Sequence, residues 1–391
     1  MQLSNRITNL TGGGSDGWDV FNRARNMIAA GIPVVELTIG EHDIGTHPSI
    51  LKAMDKAAMG GHTGYATVPG TSSLRDTVAK RITEQSGVAT TRDNVLITPG
   101  GQAALFAAHM AVCNPGDTAL YIDPYYATYP GTIRGVGAIP KAIQTHAEDA
   151  FQPRTKDIED ATKGATSLLI NTPNNPTGAV YGRDTLLSIA DVCKRHDLWL
   201  LSDEVYDTQV WEGEHLSPRA LPGMAERTLV IGSMSKSHAM TGSRCGWIVG
   251  PTYTIEHLIN LATHTNYGVA GFVQDAADFA LNAGIELEEE VAAPFRRRRA
   301  LGQKIIAAQN TVKLVPAQGA MYLMLDVRAT GMTGEEFAYA LLDAHNIAVM
   351  PGESFGQAAT GHIRVAMTIE DAAFAKALET LCDFAKDLAN G

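Results

Sequence analysis

Gly232-Ser-Met-Ser-Lys-Ser-His-Ala-Met-Thr-Gly-Ser-Arg-Cys-Gly-Trp247 is the stretch whose reading decides the fold. It follows an apolar run, Thr228-Leu-Val-Ile231, and leads into another, Trp247-Ile-Val249, and both read as buried strands. Between them stand a lysine, two serines two residues apart, and an arginine eight residues past the lysine. Lys236, so placed, leaves a strand end among small hydroxylic residues and is well placed to form an imine with an aldehyde. Ser233, Ser235 and Arg244 offer donors to an anion.

Working outward, a strand–helix alternation begins at Asn94. Val95-Leu-Ile-Thr98, Ala119-Leu-Tyr-Ile122, Leu168-Leu-Ile170 and Leu198-Trp-Leu-Leu201 are further strands, mostly apolar on both faces. Helical segments such as Gly101 to Cys113 and Arg183 to Arg195 separate them. This is the α/β pattern of a mostly parallel sheet flanked by helices. Upstream, Leu51 to Ala58 and Ser73 to Ile82 have helical spacing, and a turn-rich loop, Gly60 to Tyr65 with Pro69-Gly70, joins them. Residues 1–47 look irregular, with Gly12-Gly-Gly14 a flexible lead-in and Pro33-Val-Val-Glu-Leu37 a short strand.

After about residue 285 the texture changes. A charged segment, Glu286 to Arg299, leads into the helical Ala300 to Ala308. Then come the strand Ala320 to Leu325, a helix from Thr333 to Ala344, the strand His362-Ile-Arg-Val-Ala366 and a helix from Ile369 to about Leu388. The expected organisation is a large domain over 48–285 and a smaller α+β domain over 286–391, to which the segment 1–47 contributes.

Composition excludes several classes. A formal charge of −11 argues against a nucleic-acid surface, which needs a basic patch. Four cysteines far apart, with no CxxC pair, give neither a zinc ribbon nor a disulfide framework. No metal site is expected. The N-terminus has no apolar signal core and no run of 18 apolar residues occurs, so a cytoplasmic protein without a membrane anchor is expected. The run Arg296-Arg-Arg-Arg299 lies just downstream of Glu286, Glu288, Glu289 and Glu290 and reads as a solvated, ion-paired helix face.

The remaining candidates fall at strand ends, where open parallel sheets bind ligands. Thr98-Pro-Gly-Gly-Gln102 joins a strand to a helix whose first N–H groups suit a phosphate, although such glycine pairs also serve merely as tight turns. In Asn171-Thr-Pro-Asn-Asn-Pro-Thr-Gly178 two prolines and a glycine would hold the Asn175 amide still, to donate to a phenolic oxygen or simply to form an Asx turn. In Ser202-Asp-Glu-Val-Tyr206, Asp203 could keep a pyridine nitrogen protonated and so lower its own pKa, with Tyr206 a second donor to the phenolic oxygen. Tyr126, in Tyr125-Tyr-Ala-Thr-Tyr129, could stack on a flat heterocycle or belong to the core. Aldehyde, phosphate, pyridine nitrogen and phenolic oxygen are together the features of pyridoxal 5'-phosphate.

On Asn174-Asn-Pro-Thr-Gly178, Ser202-Asp-Glu-Val-Tyr206 and Ser233-Met-Ser-Lys236 followed by Gly242-Ser-Arg244, the chain resembles the class I/II aminotransferases. These are fold type I pyridoxal-phosphate enzymes related to aspartate aminotransferase. The resemblance runs from about Trp18 to the C-terminus. It implies that Lys236 holds the cofactor as a Schiff base and shuttles the proton, and that Asp203 binds the pyridine nitrogen. It further implies Asn175 and Tyr206 on the phenolic oxygen, and Gly101, Gln102, Ser233, Ser235 and Arg244 around the phosphate. Tyr65 would reach the phosphate of a neighbouring subunit, which makes a homodimer. Arg364 would clamp the substrate carboxylate, with Gly40 as a backbone contact. Tyr126 stands where many relatives carry tryptophan or phenylalanine. No arginine matches the one that makes some relatives specific for dicarboxylic acids, and Ser237 to Gly242 is most similar to arginine–pyruvate aminotransferases.

The implied reaction is ping-pong transfer of an amino group from an L-amino acid to a 2-oxo acid. A carbon–sulfur β-lyase on the same scaffold is the alternative, because the bond that breaks is the one perpendicular to the ring. The sensor domain of a transcription regulator would need a DNA-binding module for which this chain has neither spare length nor a basic segment.

Overall fold

The computed structural model describes residues 1–13 and 17–390. Its strands, in chain order, are β1 (Val35–Leu37), β2 (Val95–Thr98), β3 (Thr118–Asp123), β4 (Ile139–Gln144), β5 (Ala165–Asn171), β6 (Trp199–Asp203), β7 (Thr228–Ser233), β8 (Gly246–Val249), β9 (Lys313–Leu314), β10 (Tyr322–Asp326), β11 (Ile347–Pro351) and β12 (His362–Ala366). Seven of them form one sheet in the order β2-β8-β7-β6-β5-β3-β4. Neighbours from β7 through β4 are parallel, and β8 alone runs against both of its partners.

Alternate side chains of the central strands enter opposite cores. Leu229 and Ile231 of β7 pack beneath the helix Gly100–Val112 with Leu105 and Ala108, while Val230 faces Val78, Val273 and Ala277 on the other side. Helices cover both faces, so the strands are apolar throughout, as read. Six of the seven strands end at the same edge, and this edge with the loops that leave it carries the candidate residues other than Gly40, Tyr65 and Arg364.

The second sheet has the order β1-β11-β12-β10-β9. β1 pairs in parallel with β11, joining the N-terminal segment to C-terminal strands. Residues 1–47 are not irregular throughout, because Asp19–Ala29 is a helix whose Val20 and Ala24 share a core with Leu37, Phe337 and Leu341. Its apolar residues recur at three- and four-residue spacing but stand among Arg23, Arg25 and Asn26, which hid the stripe. Gly12 packs against the Arg134 guanidinium; Gly14 lies outside the described residues.

Three strands were not read from the sequence: the two-residue β9, β4 and β11. β4 is the sheet's edge, and Ile139-Pro-Lys-Ala-Ile-Gln144 carries the proline and lysine of an edge strand, which obscure its period. β11, Ile347-Ala-Val-Met-Pro351, is too short an apolar run to be told from a helix end. The charged segment and the helix after it form one continuous helix, Glu286–Ala307. Its four arginines are ion-paired to Glu289, Asp371, Asp43 and Glu212. Arg298, however, is buried rather than solvated, held by Asp43 and Asp371 from two other parts of the chain.

All four cysteines are free and buried. Among the described residues no helix is long and apolar enough to cross a membrane, and no cluster of histidine, cysteine or carboxylate side chains could hold a metal.

Candidate active site

Lys236 stands on a single helical turn, Met234–Ser237, at the end of β7. The Ser233 side chain starts this turn by accepting the Ser235 N–H at 3.1 Å. The lysine is thereby turned into a cavity of about 350 Å³ between the two sheets. Its Nζ donates to the Gly40 carbonyl. Burial pushes the amine down to about 8, helped by Arg364 and Arg244 and opposed by Glu41. The neutral, nucleophilic fraction near neutral pH is therefore far larger than that of an ordinary lysine.

Asp203 is the last residue of β6 and is buried. Tyr129 Oη donates to its Oδ2 at 2.7 Å, and the Val205 N–H to its Oδ1 at 3.3 Å. Burial nevertheless raises this carboxyl to about 6. That is the reverse of the lowering expected beside a cation, and it marks a carboxylate that a buried cation would stabilise. Asn171, at the end of β5, ties two site loops together. Its Nδ2 donates to the Asp203 carbonyl at 2.9 Å and its Oδ1 accepts the Asn175 N–H at 2.7 Å.

Arg364, on β12, is 1% exposed. One Nη donates to Asn175 Oδ1 at 2.8 Å and the other to the Thr38 carbonyl, while Nε has no partner. The guanidinium lies between two rings, 4.3 Å from the centre of Tyr322 and 4.4 Å from that of Phe355. No carboxylate pairs with it among the described residues.

At the opposite end, the helix Gly100–Val112 begins beside Arg244. Gly100 has φ +80°, and a Cβ there would overlap the Arg244 guanidinium, so only glycine gives this approach. Arg244 donates to the Thr241 carbonyl at 2.7 Å and weakly to that of Pro99 at 3.5 Å, and among the described residues no acid pairs with it. Ser233 Oγ and Ser235 Oγ stand 2.9 Å apart. The Gln102 side chain is held by Thr128 and Thr132, which leaves the backbone N–H groups of Gly101 and Gln102 as the donors at this helix end.

Thus Gly40, Gly101, Gln102, Tyr126, Asn175, Asp203, Tyr206, Ser233, Ser235, Lys236, Arg244 and Arg364 all line one cavity. Tyr65 does not. It is 91% exposed and meets Tyr267 edge-on, outside the cavity. Sequence reading missed Tyr129, Asn171, Tyr322, Glu41 and His42. Tyr129 sat in a tyrosine cluster already singled out, and Asn171 opened a quoted motif. Tyr322 and His42 carried no local signal: His42 takes its place by contact with the Lys236 carbonyl at 3.1 Å, from a distant part of the chain.

The donor set fits pyridoxal phosphate. An amine pushed towards neutrality, a buried carboxyl wanting a cation, a glycine-opened helix N-terminus beside Arg244, and a buried arginine with no counter-ion among the described residues are arranged around one cavity. Fold and site together define a fold type I pyridoxal-phosphate enzyme.

The comparison with known proteins narrows the class. The family model for aminotransferase class I and II matches residues 32–381, and the chain belongs to that family. It is 37% identical over 370 residues to the arginine–pyruvate transaminase AruH of Pseudomonas aeruginosa, covering 94% of each chain. To the aspartate/prephenate aminotransferase of Thermus thermophilus it is 33% identical, covering 91% of this chain and 92% of that one. The structure of Thermus thermophilus aspartate aminotransferase with maleate superposes with a TM-score of 0.92 at 32% identity, over 99% of both chains. The protein is a pyridoxal-phosphate-dependent aminotransferase, using an amino acid and a 2-oxo acid. The relatives named here are all transaminases, and the β-lyase alternative gains no support from them.

Proposed function

We propose that Lys236 is the amine that holds the cofactor and, once released, carries the proton taken from the substrate's α-carbon. The observation that carries this reading is Arg364, a buried guanidinium with an unpartnered Nε, facing the same cavity as a desolvated lysine. Bound pyridoxal phosphate supplies an aldehyde carbon for the amino group and a cationic ring that draws electrons from the α-carbon. Asp203 would hold the proton on the ring nitrogen, Asn175 and Tyr206 would donate to the ring oxygen, and Tyr126 would stack on the ring. The amides of Gly101 and Gln102, with Ser233, Ser235 and Arg244, bind the phosphate. Arg364 grips the α-carboxylate bidentately and Gly40 contributes its backbone, so the α-proton is presented to Lys236 Nζ.

The donor we propose is arginine and the acceptor pyruvate. The likeness to AruH supports this, as does Glu41, an acidic side chain in the cavity wall; Arg244 and Arg364 are the arginines of that wall. A donor with a basic side chain suits such a wall better than a dicarboxylic acid. Tyr65 completes the phosphate site of a second copy in a homodimer, and its exposure leaves it available for that contact. The protein acts in the cytoplasm. Residues 48–285 form the cofactor-binding domain, and 1–47 with 286–391 the smaller one; the β1–β11 pairing supports that grouping.

The test is Lys236→Ala. It abolishes turnover of arginine with pyruvate, the cofactor's visible band and the borohydride-trappable attachment. A variant that kept the trapped adduct would overturn the assignment. A panel of amino donors with pyruvate and 2-oxoglutarate checks the substrate pair.

A further inference from the structure

Tyr322 opens β10, and its hydroxyl lies 2.9 Å from that of Tyr206. Both side chains are buried, at 2% and 3% exposure, so the pair of hydroxyls is shielded from bulk solvent. Each hydroxyl has one proton and can accept as well as donate, and whichever donates to the other leaves the second proton to point elsewhere. The position of Arg364 favours one of the two directions. Its guanidinium lies 4.3 Å over the Tyr322 ring, and not over that of Tyr206. A cation on the ring face draws electron density from the Tyr322 oxygen and makes Tyr322 the better donor. Gly40 closes the remaining side, since a Cβ there would overlap Tyr322 Oη.

We propose that Tyr322 is a positioning residue that donates to Tyr206, turns the Tyr206 proton into the cavity towards the cofactor's ring oxygen, and carries Arg364 on its ring face. The inference rests on the role given to Tyr206 above. It joins two parts of the site that neither motif reveals: the clamp for the carboxylate and the donor that stabilises charge on the ring oxygen.

The experiment is a pH titration of the cofactor's visible band in the holoenzyme, with KM for the amino donor measured alongside. A hydrogen bond to the ring oxygen stabilises the form that has lost a proton, so weakening that bond raises the midpoint. Tyr322→Phe, which keeps volume and ring, raises the midpoint in the same direction as Tyr206→Phe and by less, and leaves KM unchanged. Tyr322→Leu gives the same midpoint shift and raises KM about tenfold, as the ring under Arg364 is lost. The double variant Tyr206→Phe/Tyr322→Phe shifts no further than Tyr206→Phe alone, because the two act in series. A wild-type midpoint in Tyr322→Phe, or additive shifts in the double variant, would overturn the proposal. Should Tyr206→Phe itself leave the midpoint unmoved, the proposal falls together with the role of Tyr206. The assignment of Lys236 stands or falls separately, on borohydride trapping.

Discussion

Two buried arginines show how little the residue type says without its partners. Arg298 is held by Asp43 at 2.7 Å and by Asp371 at 2.8 Å, a satisfied pair of contacts that joins parts of the fold. Arg364 is as deeply buried, with no acid beside it among the described residues. A guanidinium costs several kcal/mol to bury unpaired, so a protein that keeps one at a cavity wall has a use for an incoming anion. Arg364→Lys tests this. Lysine remains charged but lacks the planar fork, so amino-acid affinity falls about 10- to 100-fold, as expected for loss of a charged hydrogen bond. Cofactor content stays the same. Titration of the cofactor spectrum with amino donor measures the first, and absorbance per subunit after denaturation the second. Sequence pattern pointed to Arg364 through its family motif and read Arg298 as part of an ion-paired helix face; that Arg298 is buried was not legible, since burial depends on which distant acids arrive.

At the scale of elements, the site depends on where strands stop and what the next residues can do. The helix Gly100–Val112 starts on a glycine in the left-handed region, φ +80°, against Arg244. Gly100→Ala strains the backbone and displaces Arg244, at a cost of roughly 1–3 kcal/mol. The melting temperature falls, and it falls further with cofactor present than without, because the phosphate end of the site is deformed as well. Calorimetry with and without cofactor checks the difference. The glycine pair and the Asn-rich turn were legible because tight strand-to-helix connections need special residues locally. The helix Asp19–Ala29 and strands β4 and β11 were not, because a short amphipathic stripe or an edge strand is stabilised by what it packs against.

For the molecule as a whole, burial sets a pH dependence. Asp123, at the end of β3, accepts the Gln357 N–H at 3.0 Å and the Ala358 N–H at 3.3 Å, linking the larger sheet to the turn Gln357–Ala359 that follows Phe355. Burial outweighs those bonds and raises the carboxyl to about 7, while Asp203 is raised to about 6. An acid with a raised folded-state pKa binds more protons folded than unfolded. Its stabilising share is therefore full below about pH 4 and is lost as pH rises through 6 and 7. The cofactor-free protein should show this loss in melting temperature, with the Asp203 part removed on adding cofactor, whose ring cation lowers that pKa. Asp123→Asn, which cannot ionise, should narrow its gap from wild type as pH rises towards 7. Melting curves from pH 4.5 to 7.5 measure both effects. The amino-acid order by itself determined the alternating α/β core, the lysine turn and the glycine-opened strand-to-helix turn, because strand patterning and tight turns are written in neighbouring residues. Only the tertiary structure decided that Tyr322, Tyr129, Asn171 and His42 belong to the site, which charges are paired, and which are left open for a ligand. Those outcomes depend on desolvation and on contacts between residues far apart in the chain, and no local window contains either.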